Sequence, residues 1–443
     1  MWNDVAWLAG DGMKPRVIFL AVAASAVAAV SLMYHMGFRR VERRGGPLPH
    51  EAYVWQRRWD ERVARALGEG ADRVSAFTVL AAEVSWRRGR PRVVRVPLDY
   101  GALKRTGRPV GLALRIGPYA GPFEEKTEAT LLLTELAASL IGRARDAGLE
   151  PAELQIDFDC AESRLDGYRS WVEALRQSSA GVPLTITALP CWLKHRAFAR
   201  LARASGGFVL QVHSLARPAS ADTPMTLCDA AAALRWVERA ARTGVPFRVA
   251  LPTYGYVVAF GSDGRFIGVS AEGPLGRWGP DVTCRTVAAD PFALAELVET
   301  WRMSRPATLT GILWYRLPVE GDRLNWTWTT LAAVMSGRAP RRRLDVQVVY
   351  PQAELAEVEL VNTGEVDLTP DVTVRLEWRT GALVAADALR GFSMSETAPR
   401  HRSLQAGRAR EFVRMAPGER WTIAWLRFTQ ETEVQAHAHA TDH

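Results

Sequence analysis

Residues 154–159 have the sequence Leu-Gln-Ile-Asp-Phe-Asp, and a helical segment at 165–178 follows them. Apolar and polar side chains alternate along these six residues, which indicates a strand with two different faces. The three apolar residues fall on one face, and Gln155, Asp157 and Asp159 fall on the other. In a parallel α/β barrel the apolar face packs against helices, so the polar face is expected to point toward the barrel axis.

The same order of strand and helix recurs on both sides of this segment. Eight units over roughly 290 residues fit a closed (β/α)8 TIM barrel better than an open doubly wound sheet. No glycine-rich phosphate loop follows the first predicted strand, which argues against a dinucleotide-binding fold. The predicted strands span residues 52–56, 76–84, 110–116, 154–159, 184–189, 207–212, 247–251 and 309–315.

The pattern changes beyond residue 344, where short segments alternate apolar with polar residues and no long helical segment recurs. This predicts a small antiparallel β-sandwich, immunoglobulin-like in kind. An inserted hairpin is also predicted after the seventh barrel strand, around the turn Ser262–Gly264. The predicted domains are a signal or anchor with its linker at 1–46, the barrel at 47–340 and the sandwich at 341–443.

The composition is that of a folded globular protein, with 443 residues, 48% hydrophobic and 23% charged. The net charge of +8 comes mainly from arginines spread along the chain, without a basic helix or a recognised reader motif. Nucleic acid is therefore not an expected partner. The 16 tryptophans include several near predicted strand ends, where an indole ring could stack on a sugar; at least half are expected to be core residues.

The four cysteines contain no CxxC pair and no metal-ligand spacing, so neither a metal nor a cofactor is predicted. Cys160 and Cys191 follow neighbouring predicted strands, whose spacing of about 4.8 Å is compatible with a disulfide. Two unpaired thiols in the core are the favoured interpretation.

The N-terminus carries a signal-like pattern. Lys14 and Arg16 precede an apolar run at 17–33, which is typical of an export signal or, extended to residue 38, of an inner-membrane anchor. Arg39, Arg40 and the arginines that follow would favour a cytoplasmic position. Large domains cross membranes despite such local charge, so a periplasmic or extracytoplasmic location is expected; cleaved signal and retained anchor both stay open.

Polar and aromatic residues lie near the ends of several predicted strands. Because barrel enzymes carry their sites at the carboxyl ends of the strands, these residues are expected to form one polar cup. Paired carboxylates suit acetal hydrolysis, in which one carboxyl donates a proton and another stabilises positive charge. The predicted cup contains Asp157, Asp159 and Glu162 as catalytic candidates, and Trp55, Glu83, Arg115, His213, Tyr254, Tyr256, Trp314 and Arg316 as substrate-binding candidates.

The segment 156–162 resembles the fourth-strand signature of family 18 glycoside hydrolases, the chitinase-like barrels. That signature spaces acids along the strand and ends with a catalytic glutamate two residues after the last aspartate. Here that position is Ala161, and the acid follows at Glu162. The eighth-strand segment ending at Trp314 is also similar to the strand-end tryptophan of those barrels.

A closer resemblance connects the chain with the bacterial family called domain of unknown function 3142. The segments that carry it are 52–57, 155–160, 163–168 and 210–213. The resemblance implies a glycosidase-like barrel and leaves the reaction open.

Three functions follow from these patterns. The first is a glycosidase-like enzyme acting on an envelope or extracellular polysaccharide, with Asp159 or Glu162 as the acid and Asp157 as its orienting or charge-stabilising neighbour. Tyr254 and His213 would contact the sugar. The second is a barrel that binds a polysaccharide or oligosaccharide without cleaving it, which the displaced glutamate favours. The third is an envelope scaffold whose sandwich docks a partner.

Overall fold

The structure is a computed structural model that describes residues 41–214, 217–270, 278–279, 281–407 and 414–440. The elements below lie in one compact unit, Arg43–His443. The predicted signal or anchor segment, residues 17–38, lies outside the described residues. Within the described part of the chain, no helix is both long enough and apolar enough to cross a membrane.

Eight parallel strands form a closed barrel, as the sequence predicts. The first strand pairs with both the second and the eighth, which closes the sheet. We number the strands β1 to β8 in chain order: His50–Val54, Ala76–Arg87, Val110–Ile116, Glu153–Phe158, Leu184–Ala188, Phe208–Gln211, Phe247–Pro252 and Leu309–Tyr315.

Helices cover the outside of the barrel, and local sequence explains where they begin. Asp60, Asp229 and Asp290 each precede a helix and accept hydrogen bonds from its first backbone N–H groups, which otherwise lack partners. One face of each longer helix is apolar and buried against the strands. The helices are Glu61–Ala71, Tyr100–Arg105, Glu128–Asp146, Leu165–Ser178, Arg196–Ser205, Ala230–Ala241, Pro291–Met303 and Trp328–Met335.

Strand β4 sends polar side chains into the barrel at three levels. At the amino-terminal end Glu153 meets Arg248 from β7, and in the middle Gln155 donates a hydrogen bond to the hydroxyl of Tyr53 from β1. At the carboxyl end Asp157 meets Thr187 from β5. The predicted inward polar face of this strand is therefore present along its whole length.

The amino-terminal end of the barrel holds a closed group of charges, which we call the base cluster: Glu51, Glu153, Thr185 and Arg248. Arg248 donates two hydrogen bonds of 2.7 Å to Glu153 and another to Glu51. Thr185 donates to Glu153 at 3.1 Å. The three charged side chains are only 12–14% exposed. Gly111 leaves room for them, because a Cβ there would lie 2.8 Å from Cγ of Glu153.

Strand β2 continues past its barrel neighbours as a hairpin, which we call the arm, residues 84–95. Its second strand, Arg90–Arg95, runs antiparallel to the end of β2. Arg88 and Gly89 form the turn with φ values of 52° and 77°. Two positive φ values suit the two-residue turn whose twist matches that of the paired strands. The strands predicted at 76–84 and 110–116 leave this connection without a hairpin, so the arm is a feature that only the structure shows.

The insertion after β7 is a three-stranded antiparallel sheet. The predicted hairpin is present as Gly255–Phe260 and Phe266–Ser270. A further strand, Thr283–Ala288, pairs with the other side of Gly255–Phe260. The insertion therefore holds one more strand than the sequence indicated.

The C-terminal part consists of two four-stranded antiparallel sheets around one apolar core. Four of the eight strands match the segments singled out in the sequence: Leu344–Gln352, Leu355–Asn362, Val372–Trp378 and Arg420–Phe428. The others have weaker alternation and were not predicted: Leu383–Ala388, Phe392–Ala398, His401–Ala406 and Val434–Ala440. The antiparallel all-β character of this part is confirmed.

Glu365 joins this part to the last barrel helix. Its carboxylate accepts hydrogen bonds from Arg338 at 2.7 and 2.9 Å, and its backbone carbonyl accepts one from Thr330 at 2.6 Å. Arg338 is the main cause that holds the pKa of Glu365 down at about 2.

The cysteines carry free thiols. Cys160 is buried and Cys191 is exposed, and no disulfide joins them. The favoured interpretation of unpaired thiols holds and the disulfide is absent, but only Cys160 lies in the core.

Candidate functional site

The carboxyl end of the barrel, which we call the mouth, carries a row of charged side chains. Glu83, Arg115 and Asp157 lie in register on the adjacent strands β2, β3 and β4. Neighbouring residues in register point to the same face of a sheet, so all three face the barrel axis. With Arg57 and Asp159 they form the mouth cluster.

Asp157 is the most enclosed member of this cluster, with a side chain 14% exposed. Thr187 donates a 2.8 Å hydrogen bond to its Oδ1, whereas Nη1 of Arg115 lies 4.0 Å from its Oδ2. Burial raises the pKa of the Asp157 carboxyl, and nearby Asp159 adds to that rise, while Arg115 opposes it. Asp157 is thus a carboxyl for which the mouth favours the protonated form.

The two outer acids of the cluster have different surroundings. Asp159 lies one residue beyond the end of β4 and is exposed. Glu83 accepts two hydrogen bonds from Arg57, at 2.7 and 2.9 Å. That pairing lowers the pKa of Glu83. Arg115 interacts electrostatically with Asp157 and Asp159 on the side of β4 and with Glu83 on β2. Its guanidinium therefore lies between the acids of the two strands that flank β3.

The wall opposite the mouth cluster is aromatic. We call it the tyrosine cluster, and it consists of His213, Tyr254, Tyr256 and Tyr315. The hydroxyl of Tyr254 lies 3.1 Å from that of Tyr256 and 3.4 Å from Nδ1 of His213. The ring of Tyr315 stacks on His213 at 5.6 Å between centroids and meets Tyr254 edge-on at 5.2 Å. Burial lowers the pKa of His213 to about 3, so its imidazole is neutral near pH 7.

Tyr315 connects the two walls of the mouth. Besides the tyrosine cluster it contacts Tyr53 and Trp55, with ring centroids 5.8 and 5.5 Å away. It also lies close enough to Arg115 to interact with it electrostatically. A half-buried ring between ionic groups and other rings offers a ligand both an apolar face and hydrogen-bonding partners.

Glu162 does not have the surroundings that keep a proton on a donor carboxyl. Its Oε2 lies 2.8 Å from Nζ of Lys194 and 2.5 Å from Nε2 of His195, both on the loop after β5. These partners, with Lys194 first, lower the pKa of Glu162 to about 2. The carboxyl is therefore ionised at neutral pH, and this arrangement does not support Glu162 as the general acid.

Two further sequence-based assignments need correction. Trp314 is fully buried on the helix-facing side of β8, where its Nε1 donates to Nδ1 of His50 at 3.1 Å. Arg316 is 5% exposed and pairs with Asp322. Neither side chain is available to a ligand, because alternation along β8 turns Tyr315, and not Trp314, toward the axis.

Trp55 lies at the mouth but offers little surface. It is 3% exposed and packs edge-on against Tyr53, with ring centroids 5.1 Å apart. Its Nε1 has no hydrogen-bond partner among the described residues. It therefore forms the floor of the mouth, and stacking on a sugar would require it to become exposed.

The predicted set of site residues leaves out four that also shape the mouth: Tyr53, Arg57, Thr187 and Tyr315. A signal existed for Tyr315. Its position is two residues after Leu313, which belongs to the apolar interior of the barrel. Strict alternation from an apolar interior residue would have selected Tyr315 over Trp314.

The described residues contain no group of three or more His, Cys, Asp or Glu side chains arranged to hold a metal ion. Two surface grooves lie away from the mouth. One of about 410 Å³ lies on the C-terminal sandwich beside Phe392, and one of about 960 Å³ lies beside helix Pro291–Met303. Neither is lined by a predicted site residue.

Residues 106–320 match the family described as Domain of unknown function (DUF3142). This confirms the resemblance carried by the motifs from residue 155 onward, while the motif at 52–57 precedes the matched region. No curated protein matches the sequence.

Several solved structures are similar to the chain. The spore cortex-lytic enzyme SleL of Bacillus cereus is 11% identical, with a TM-score of 0.46 over 67% of this chain and 75% of that chain. A chitinase from Chromobacterium violaceum is 16% identical, with a TM-score of 0.44 over 66% and 100%. The GH18 chitinase ChiB of Flavobacterium johnsoniae is 14% identical, with a TM-score of 0.41 over 61% and 88%.

Proposed function

We propose that the barrel mouth binds a polysaccharide or oligosaccharide segment and does not cleave it. The observation that carries the proposal is the pairing of two walls around Tyr315. One is an ionic wall rich in hydrogen-bonding groups, and the other is an aromatic wall in which Tyr256 and Tyr315 are half-buried while His213 and Tyr254 are buried. Sugars present hydroxyl groups at their edges and C–H groups on their faces, so such a pair of walls complements them.

The state of Glu162 supports binding without hydrolysis. Cleavage of a glycosidic bond needs a carboxylic acid that still carries its proton near neutral pH. Glu162 is ionised between Lys194 and His195, and Ala161 has no proton to give.

A hydrolytic function is the second candidate, and one observation favours it. Burial raises the pKa of Asp157, and Asp159 follows two residues later on the same side of the chain. Asp157 and Asp159 would then be the two carboxyl groups of the reaction, with Asp157 as the acid. The enclosure of Asp157 makes this the less favoured function.

The test measures binding and cleavage with the same material. The full chain is presented with neutral and acidic polysaccharides, and both affinity and new reducing ends are recorded. We expect saturable binding with no reducing ends. Reducing ends that disappear in Asp157→Asn would establish hydrolysis instead, and no binding to any polysaccharide would refute both functions.

Asp159→Asn is the sharpest variant for the mouth. The side chain is exposed and changes charge with almost no change of volume, so stability should change by less than about 0.5 kcal/mol. We expect at least about a tenfold loss of glycan affinity, since a charged hydrogen-bonding group is removed. Asp263→Asn, on an exposed turn of the insertion, is the control. Equal affinity of both variants would contradict a ligand at the mouth.

We also propose that the chain works outside the cytoplasm, exported or anchored through residues 17–38. The basic-then-apolar order of residues 14–33 supports this. A fusion of residues 1–60 to a reporter active only outside the cytoplasm should be active. A stable but inactive fusion would reverse the proposal.

A further inference from the structure

The arm rises directly from the mouth. The pairing of β2 with β3 ends at Val84 and Ile116, so Ser85–Arg87 pair only with the returning strand Arg90–Arg95. Three residues of strand extend about 10 Å. The arm is thus a short two-stranded extension beside the wall that holds Glu83.

The arm carries five arginines and no acidic residue. All five side chains are exposed, and within the described residues none has an ion-pair or hydrogen-bond partner. Arg57 in the mouth is, by contrast, paired with Glu83. The arginines of the arm are Arg87, Arg88, Arg90, Arg92 and Arg95.

The strand register turns three of these arginines toward the mouth. Residues opposite each other in an antiparallel pair share a face, and that face recurs every second residue. Glu83 faces Val94, Ser85 faces Arg92, and Arg87 faces Arg90. Arg87, Arg90 and Arg92 therefore continue the face on which Glu83 lines the mouth, whereas Arg95 lies on the opposite face.

We propose that this arm binds the carboxylates of an acidic polysaccharide whose neighbouring sugars occupy the mouth. The inference rests on the proposed function and names the substrate class for it. A guanidinium presents two parallel N–H groups to a carboxylate, so a row of unpaired arginines suits a chain of uronic acids. The half-buried Tyr256 and Tyr315, with their hydroxyls, then receive the uncharged parts of the same chain.

The charges of the mouth favour this ligand over a nucleic acid. Asp159 is exposed and Glu83 is ionised beside Arg57, so the mouth presents negative groups next to a positive arm. A nucleic acid carries a charge on every unit and would bring phosphates against these acids. A polysaccharide that mixes charged and neutral sugars can place carboxylates on the arm and hydroxyls in the mouth.

The experiment measures affinity of the full chain for hyaluronate, alginate and polygalacturonate, each beside its methyl ester, which lacks the charge. The arm variant is R87Q/R90Q/R92Q. The control R375Q/R379Q/R427Q removes the same charge from exposed arginines of the C-terminal sandwich. Single-stranded DNA and phosphatidylglycerol vesicles test the other polyanions. Melting temperatures of both triple variants check that they fold.

We expect at least one acid to bind about tenfold more tightly than its ester, and the arm variant to lose that advantage while the control keeps it. Added salt should reduce the difference, because exposed charges are screened. An arm variant that binds acids as the unchanged chain does would overturn the inference. If Asp159→Asn still weakened binding in that case, the mouth would remain a glycan site.

Arm-dependent binding of DNA or vesicles that exceeds every polysaccharide would also overturn it, by assigning the arm to another partner. Failure of every polysaccharide, charged or esterified, would refute the inference and the proposed function together.

Discussion

The two ends of the barrel use the same chemistry in opposite ways. At the amino-terminal end Arg248 holds Glu153 at 2.7 Å, and both side chains are less than 15% exposed. At the mouth Arg115 is 41% exposed and stays 4.0 Å from Asp157. The pair Arg248–Glu153 makes its hydrogen bonds inside the protein. The pair Arg115–Asp157 leaves guanidinium N–H groups turned toward solvent.

The difference separates charge that supports the fold from charge that can meet a ligand. A buried charge needs a partner, because leaving one unpaired costs several kcal/mol. The base cluster satisfies that requirement internally. The mouth cluster meets the need for paired charges only in part. Incompletely paired charges of this kind are common at functional sites.

The largest expected effect is on the base cluster. Arg248→Met removes the partner of Glu51 and Glu153 and should lower the free energy of unfolding by roughly 3–5 kcal/mol. Urea denaturation measures this change in the free energy of unfolding. Arg115→Met at the mouth is the matched variant, and we expect about 1 kcal/mol or less because its partner is distant and half its surface is in water. Equal losses would abolish the distinction between the two ends.

A second pair of variants lies on one strand. Glu153→Gln should cost about 2 kcal/mol, since it removes the charge that Arg248 contacts with two hydrogen bonds. Asp157→Asn should cost under about 1 kcal/mol, because the amide oxygen can still accept from Thr187 and the mouth already favours the uncharged form of Asp157. Chemical denaturation of both variants measures the two losses of stability. A greater loss from Asp157→Asn would mean that the mouth acid is structural.

The smallest effect concerns two histidines, one at each end of the barrel. Burial lowers the pKa of His50 to about 4 and that of His213 to about 3. The unfolded chain binds their protons below about pH 6.5 whereas the folded chain does not, so the contribution of these two histidines to stability falls as pH decreases from 6.5. Each should contribute about 1 kcal/mol between pH 6.5 and 5.5.

Unfolding at both pH values, in the unchanged chain and in His213→Gln, measures that contribution. We expect the variant to lose about 1 kcal/mol of the pH dependence, the share of His213. An unchanged slope would show that the imidazole of His213 is accessible to protons in the folded mouth.

Local sequence patterns were sufficient to predict the architecture of the protein. The alternation of strands with helices predicted the barrel, and the two-residue period of residues 154–159 predicted the inward polar face of β4. Both signals are local, because side-chain direction along a strand and helix amphipathicity depend on neighbours in the sequence. The weaker strands of the sandwich escaped prediction because their pattern appears only when a paired strand buries one face.

The sequence by itself thus determined the barrel, the all-β C-terminal part and the acids along β4. Only the tertiary structure decided which cation faces each acid: Arg248 with Glu153, Arg115 beside Asp157, and Lys194 with Glu162. It also decided that Tyr315 and not Trp314 faces the mouth. These relations join residues far apart in the chain through strand register, and a shift of one residue in register would exchange the inner and outer faces of a strand.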